Sequence, residues 1–486
     1  MDPCPLEPPR ELQESWLAAL ARFTLDHIAG LERAPAAGPI GREGAAIADE
    51  VSRPIAEEPL PGGIDAVVKV LDRAAQASLN AAGPGYLAYI PGGGIYAAAL
   101  ADFVANGMNR YTGMSVPAPA LFRLEQDVLA WLCKSFGYGT KARAVLTPGG
   151  SPANLAAVVT ARHEHFGDAG NFERAVVYTS TQAHHSIAKA VRLAGIPPNN
   201  VRAVAVDDDF RLRTDALERA VRDDRLKDLR PFLVIAAAGT TNTGAIDPLG
   251  AVADVAARES LWLHVDGAYG GAFALCAEGS RRLAGIERAD SITFDPHKGL
   301  FLPYGTGCLL VADGHKLRRA HHLDAEYLQD LSGGDVSWSP AELGPELTRD
   351  FRGLRLWLPL MLHGVGAFRA ALTEKLELAD RFARGLDGLV AAGVPIAIIA
   401  RPQLSTVAFR LARRAREALA DYNRRNVAFL AAINARQNVH LSSTLLPVED
   451  GMAHTSRVCV LSFRTHTRHI ERCLEDVSAA VKTSHG

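Results

Sequence analysis

From residue 143 to 311 the chain alternates short β-rich runs with helical patterns: "RAVVYTS", "HHSIAKAVRLAG", "VRAVAV", "TDALERAVRD", "PFLVIAAAGT", "PLGAVADVAARES", "LWLHVD", "DSITF" and "GCLLVAD". Strands joined through helical crossovers pair in parallel, so the alternation predicts βαβ units and a mostly parallel sheet with helices on both faces. The runs contain few polar residues, as expected of strands covered on both sides. Ligands of such sheets bind beyond the carboxyl ends of the strands, so the residues just past each strand are the candidates for function.

The flanks divide the rest. Residues 1–95 mix helical stretches such as "LQESWLAALARFTLDHIAGL" with breaks at "SRPIAEEPLPGG" and "AAGPGYLAYIPGGG", a pattern that predicts an N-terminal helical arm leading into a glycine-rich loop. Residues 96–370 form the predicted large domain and residues 371–486 a small α+β domain. The segment 323–350 has little periodicity, two prolines and a Gly-Gly, and reads as a binding loop or lid. No internal repeat is present.

Charge excludes several classes of partner. With 52 Lys+Arg against 54 Asp+Glu and no block of like charges, neither a nucleic-acid surface nor a polybasic membrane surface is expected. The longest apolar run, "LVAAGVPIAIIA", contains Gly and Pro and falls short of the roughly 20 residues of a membrane span. The start lacks a basic and apolar leader, and the six cysteines show no CxxC pair, so reduced thiols, a cytoplasmic location and no metal site are expected.

Four strand ends carry chemistry. Lys298 follows the apolar run "SITFDPH", where burial would favour the neutral, nucleophilic amine suited to a Schiff base; an ion-paired or snorkelling lysine is the plainer reading. Asp266 ends "LWLHVD", where a carboxylate needs a cationic or hydrogen-bonding partner; a pyridinium nitrogen would serve, as would a helix cap. Gly149, Gly150 and Ser151 form a glycine turn before a helix, a cradle for a phosphate, although the stretch is neither a dinucleotide fingerprint nor a P-loop. His184 and His185 stand at a strand-to-helix junction, where at most one can face a shared site.

These stretches, together with "GYLAYIPGGG", "PALFRLEQDVLAWL", "TPGGSPANL", "QAHHSIAKA", "AGTTNTGAIDPL", "HVDGAYGG" and "DPHKGLFLPYGTG", resemble the group II pyridoxal-phosphate-dependent decarboxylases, which include aromatic-L-amino-acid, histidine and glutamate decarboxylases. The resemblance runs from about residue 80 to the C-terminal region. It implies the fold type I, aspartate-aminotransferase-like architecture: a mostly parallel seven-stranded sheet with helices on both faces and a small α+β C-terminal domain.

By the same resemblance, Lys298 binds pyridoxal 5'-phosphate covalently, Asp266 pairs with the ring nitrogen, Ala268 packs beneath the ring and His184 stacks on its other face. Gly150, Ser151 and His297 fall at the phosphate, and Thr241 near His184 and Asp266. Tyr89 and Ile90 match a part of the substrate pocket that family dimers build from the partner chain, and Trp338 is a further pocket candidate. The implied partner molecules are an amino acid, expected to be aromatic, and a second copy of the chain, with active sites at the subunit interface.

Two departures stand out. A loop tyrosine of the family is thought to protonate the carbon left when carbon dioxide departs; here the loop offers Tyr327 at its start, with Trp338 and Leu343 where a tyrosine is expected. That opens a second outcome, oxidative deamination to an aldehyde; a catalytically silent scaffold is a third reading. Asp295 stands where aromatic decarboxylases often carry asparagine, and repulsion from a phosphate predicts that its carboxylate points away or bonds backbone N–H groups.

Overall fold

The computed structural model describes residues 6–168, 170–322 and 338–483. Seven strands, β1 (Arg143–Thr147), β2 (Ala175–Ser180), β3 (Val201–Val204), β4 (Arg230–Ala237), β5 (Trp262–Gly267), β6 (Ser291–Phe294) and β7 (Gly307–Val311), form one sheet in the order β1-β7-β6-β5-β4-β2-β3. Only β7 runs antiparallel to its neighbours, which agrees with the mostly parallel sheet expected. The segment between β6 and β7 is spent on a tight turn and the short helix Pro296–Gly299, too little for a crossover back to the starting edge, so the chain reverses direction.

Almost every strand residue is buried, because helices cover both faces. The helix Gly150–Phe166 is rich in alanine and buries Ala153, Ala156, Ala157 and Ala161, and those small side chains let it lie close on the sheet. The parallel register sets Ala237 of β4 beside Asp266 of β5, and Asp266 beside Thr293 of β6. On the other side Thr147 of β1 pairs with Gly307 of β7. There a Cβ on Gly307 would lie 2.4 Å from the backbone of Gly149, so glycine is required for the two segments to meet.

A second, antiparallel sheet of β8 (Ile396–Ala400), β9 (Thr406–Leu411), β10 (Ser442–Val448) and β11 (Gly451–Cys459) has the order β10-β11-β9-β8. The helices Leu419–Asn434 and Thr467–Thr483 pack with it around Phe409, Phe429 and Ile470. The long helix Arg352–Ala391 serves both cores: Phe368, Leu372 and Leu376 face the large one, and Leu378, Phe382 and Leu386 the small one. By length and composition it is the one described helix that could cross a membrane. Here Gly364, at φ 70° and ψ 154°, breaks it in two, and its buried face packs within the fold.

The helix Arg10–Gly30 buries no residue of its own, and Trp16, Leu17, Leu20 and Leu25 are exposed on it. Phe103 and Val104, on the helix Tyr96–Met108, are exposed too.

Candidate active site

The carboxyl ends of β1, β4, β5 and β6 open on a cavity of about 360 Å³. Lys298, Asp266, His184, Gly149, Gly150, Ser151, Thr241, Ala268 and His297 all line it, so the structure brings together the residues singled out at separate strand ends.

Lys298 lies in the single-turn helix that follows β6, whose first residue, Pro296, is preset for a helical turn. Its backbone N–H donates to the Asp295 carbonyl at 2.9 Å, and this turn folds the Lys298 ammonium back onto the Asp295 carboxylate at 3.0 Å. The expectation that Asp295 points away or bonds backbone N–H groups is therefore corrected. The attraction of the ammonium three residues on fixes its direction, and its Oδ1 is buried without a hydrogen-bond partner.

Asp266 is partly buried and held from two sides. The Ala268 N–H donates to Oδ1 at 3.2 Å, and the Asn154 side-chain amide donates to Oδ2 at 3.1 Å. The small domain fixes the neighbouring loops: Arg457 of β11 donates to the Thr241 carbonyl at 2.6 Å, and the Tyr269 hydroxyl meets Ser405 Oγ at 2.8 Å.

Gly150 opens the helix Gly150–Phe166, where the first backbone N–H groups have no partner within the helix. A Cβ at Gly150 would sit 2.9 Å from Asp295 Oδ2 and 3.1 Å from the Ala268 Cβ, so a side chain there would crowd both neighbours in the cavity wall. His297 lies beside the turn and donates from Nδ1 to the Thr306 carbonyl at 2.6 Å; burial lowers its pKa and favours the neutral ring.

His184 caps the helix His185–Leu193, its Nδ1 accepting the Ser186 N–H at 3.3 Å, and faces the cavity as well. Burial pushes its pKa down, while the Asp266 carboxylate acts in the opposite sense. His185 is exposed, as the geometry of adjacent helical positions requires.

The three residues expected at the substrate pocket, Trp338, Tyr89 and Ile90, do not line the cavity of their own chain. Trp338 does not line this cavity: its ring stands edge-on to His315 at 4.6 Å, between the guanidinium groups of Arg143 and Arg318, and borders a separate cavity. Cation–π attraction on both sides holds it against the outer face of the large domain. Leu343 is buried in a core cluster with Val145 and Leu309, and Tyr327 lies outside the described residues. Tyr89, at φ 50° and 58% exposed, and Ile90, which packs on the large core, also stay outside the cavity of their own chain.

Sequence reasoning missed Asn154 and Ser186, which are buried in the cavity wall, and His264, buried behind it and hydrogen-bonded to Asn154. The signal available was a lone asparagine one turn into an otherwise alanine-rich helix and a histidine inside an apolar strand, each of which needs a buried partner.

Comparison with known proteins shows the family. Residues 64–412 match the pyridoxal-dependent decarboxylase conserved domain. The chain is 33% identical over 399 residues to the aromatic-L-amino-acid decarboxylase of Bacillus atrophaeus, covering 82% of this chain and 81% of that one. It is 31% identical over 381 residues to the phenylacetaldehyde synthase of Petunia hybrida, covering 75% and 74%. Among solved structures, Oryza sativa TDC with PLP and tryptamine superposes with a TM-score of 0.89 at 27% identity, over 98% of this chain and 99% of that one.

The donor set here fits pyridoxal phosphate. Lys298 offers an amine for the aldehyde, Asp266 a carboxylate for the ring nitrogen, and the Gly150 turn a helix N-terminus for the phosphate, at a point of the cavity that a Cβ on Gly150 would crowd. Gly150→Ala is accordingly expected to weaken binding of the cofactor at least about tenfold, roughly 1.4 kcal/mol, in a fluorescence titration of the apoenzyme with pyridoxal phosphate. Unchanged affinity would remove this turn from the binding site.

Proposed function

The chain belongs to the pyridoxal-dependent decarboxylase family, and from that membership we propose that it converts an aromatic L-amino acid to the corresponding amine and carbon dioxide. The observation that carries the reading is the convergence of Lys298, Asp266 and His184 on one cavity. The aromatic preference draws on the relative from Bacillus atrophaeus.

When bound, pyridoxal phosphate supplies an electron-poor ring that accepts the electron pair of the breaking bond between Cα and the carboxylate. Lys298 would offer its amine to the cofactor's aldehyde, and the Asp295 carboxylate lies 3.0 Å from its Nζ. Asp266, oriented by Ala268 and Asn154, keeps a proton on the ring nitrogen. His184 would cover the face of the ring opposite Ala268 and orient the substrate carboxylate. Gly150, Ser151 and His297 would hold the phosphate, and Thr241 would border the ring.

A second reading, oxidative deamination to an aldehyde, has one observation in its favour. Among the described residues Tyr269 is the only tyrosine lining the cavity, and its hydroxyl is engaged by Ser405 and Thr406. Proton delivery to the substrate carbon then falls to another group, and without it oxygen can compete. The Petunia relative carries the name of an aldehyde-forming enzyme.

The active protein is a homodimer in this reading. Trp16, Leu17, Phe103 and Val104 are apolar surface that a second copy would cover, and exposed Tyr89 would then reach the partner's cavity. The described cysteines are all free and buried, which supports the reducing cytoplasm as its location.

Incubation of the holoenzyme with L-tryptophan, L-tyrosine, L-phenylalanine and L-DOPA is expected to release carbon dioxide and an equal amount of amine, and Lys298→Ala to abolish both. Peroxide and aldehyde in step with carbon dioxide would establish the second reading, and no turnover of any of the four would refute an aromatic substrate. In sedimentation equilibrium the protein is expected at twice its 51.9 kDa chain mass, with Phe103→Glu weakening association; an active monomer would contradict the shared site.

A further inference from the structure

A run of side chains passes from Trp262, behind the cavity, through the buried wall residues Asn154 and Ser186 to both Asp266 and His184, and every donor and acceptor in it can be assigned. Asp266 Oδ2 is an acceptor, so the group facing it at 3.1 Å from Asn154 is the amide nitrogen. The amide oxygen therefore faces His264 Nε2 at 3.0 Å and requires a proton there. Complete burial lowers the His264 pKa to about 4, which makes the ring neutral and its Nδ1 an acceptor. Ser291 Oγ, 2.8 Å from that Nδ1, must donate to it, and in turn accepts the Trp262 indole N–H at 2.8 Å, a group that can only donate. Thr293 Oγ1, 3.3 Å from His264 Nε2, is left as a second acceptor for the same proton.

The other branch starts at the same amide. The Asn154 nitrogen also donates to Ser186 Oγ at 3.1 Å, which leaves the Ser186 hydroxyl proton to point at His184 Nδ1, 2.8 Å away. The Ser186 backbone N–H reaches that Nδ1 as well, at 3.3 Å. Two donors thus converge on one ring nitrogen, which must be unprotonated. Asn154 and Ser186 are 1% and 3% exposed, so water does not compete for these bonds.

We propose that Asn154 is a positioning residue that, through Ser186, fixes His184 as the tautomer protonated on Nε2 while holding Asp266 as a hydrogen-bond acceptor. One amide thereby matches the two groups assigned to opposite duties at the cofactor: a carboxylate that accepts and an imidazole that offers an N–H. The ring face and N–H of His184 are set by these wall residues before any substrate arrives.

The inference rests on the active-site reading above, but its readout is a ring proton and not turnover, so either can fail while the other stands. The experiment is long-range proton–nitrogen correlation NMR on deuterated, ¹⁵N-histidine-labelled holoenzyme, with the His184 signals identified by their loss in His184→Gln. The wild type is expected to show His184 with Nε2 protonated and Nδ1 bare. Ser186→Ala and Asn154→Leu are expected to replace that pattern with averaged shifts of two exchanging tautomers, and Ser186→Thr, which keeps the hydroxyl, to restore it. A wild-type ring protonated on Nδ1, or a fixed Nε2 tautomer that survives in both Ser186→Ala and Asn154→Leu, would overturn the proposal. Ser186→Ala leaves the buried amide intact, so it remains informative should Asn154→Leu fold poorly.

Discussion

The parallel hydrogen-bonded register of β4, β5 and β6 is the constraint on which the site depends. It sets Ala237, Asp266 and Thr293 side by side, so that the segments leaving the three strands start from one level. Because side chains alternate along a strand, a slip of one residue in β5 would carry Asp266 to the opposite face, away from Asn154 and His184. The chemistry of the cavity therefore depends on backbone pairing whose stability comes from the apolar cover on both faces of the sheet.

Two further arrangements complete what the register begins. Close approach of glycine backbones, Gly307 against Gly149, brings the turn before the helix Gly150–Phe166 beside the segment that bears Lys298. The small domain then reaches over, with Arg457 on the Thr241 carbonyl and Ser405 on the Tyr269 hydroxyl, so that the loops after β4 and β5 are braced from outside the sheet. The long helix Arg352–Ala391 contributes to both cores and couples the position of this brace to the sheet.

Much of this was legible in the sequence for a physical reason. Lys298, Asp266, His184 and the Gly149 turn each follow an apolar strand, and strand order in a parallel sheet brings such ends together. What was not legible depends on contacts between elements. Asn154 and His264 reveal their roles only once helix and sheet are in register, and the direction of Asp295 follows from a single turn that places Lys298 over it. Trp338 illustrates the converse: its place where the family's loop tyrosine is expected suggested the pocket, while two arginines and a histidine pack around its ring elsewhere. Tyr89 and Ile90 do not line the cavity of their own chain, in keeping with the resemblance, which puts them at the partner's pocket.

The central claim is that one lysine of the nine in the chain, Lys298, is the covalent anchor of the cofactor. Borohydride reduction of the holoenzyme followed by peptide mass spectrometry tests it most directly. The account predicts a single phosphopyridoxyl adduct, on Lys298; an adduct on another lysine, or none on a protein saturated with pyridoxal phosphate, would contradict it.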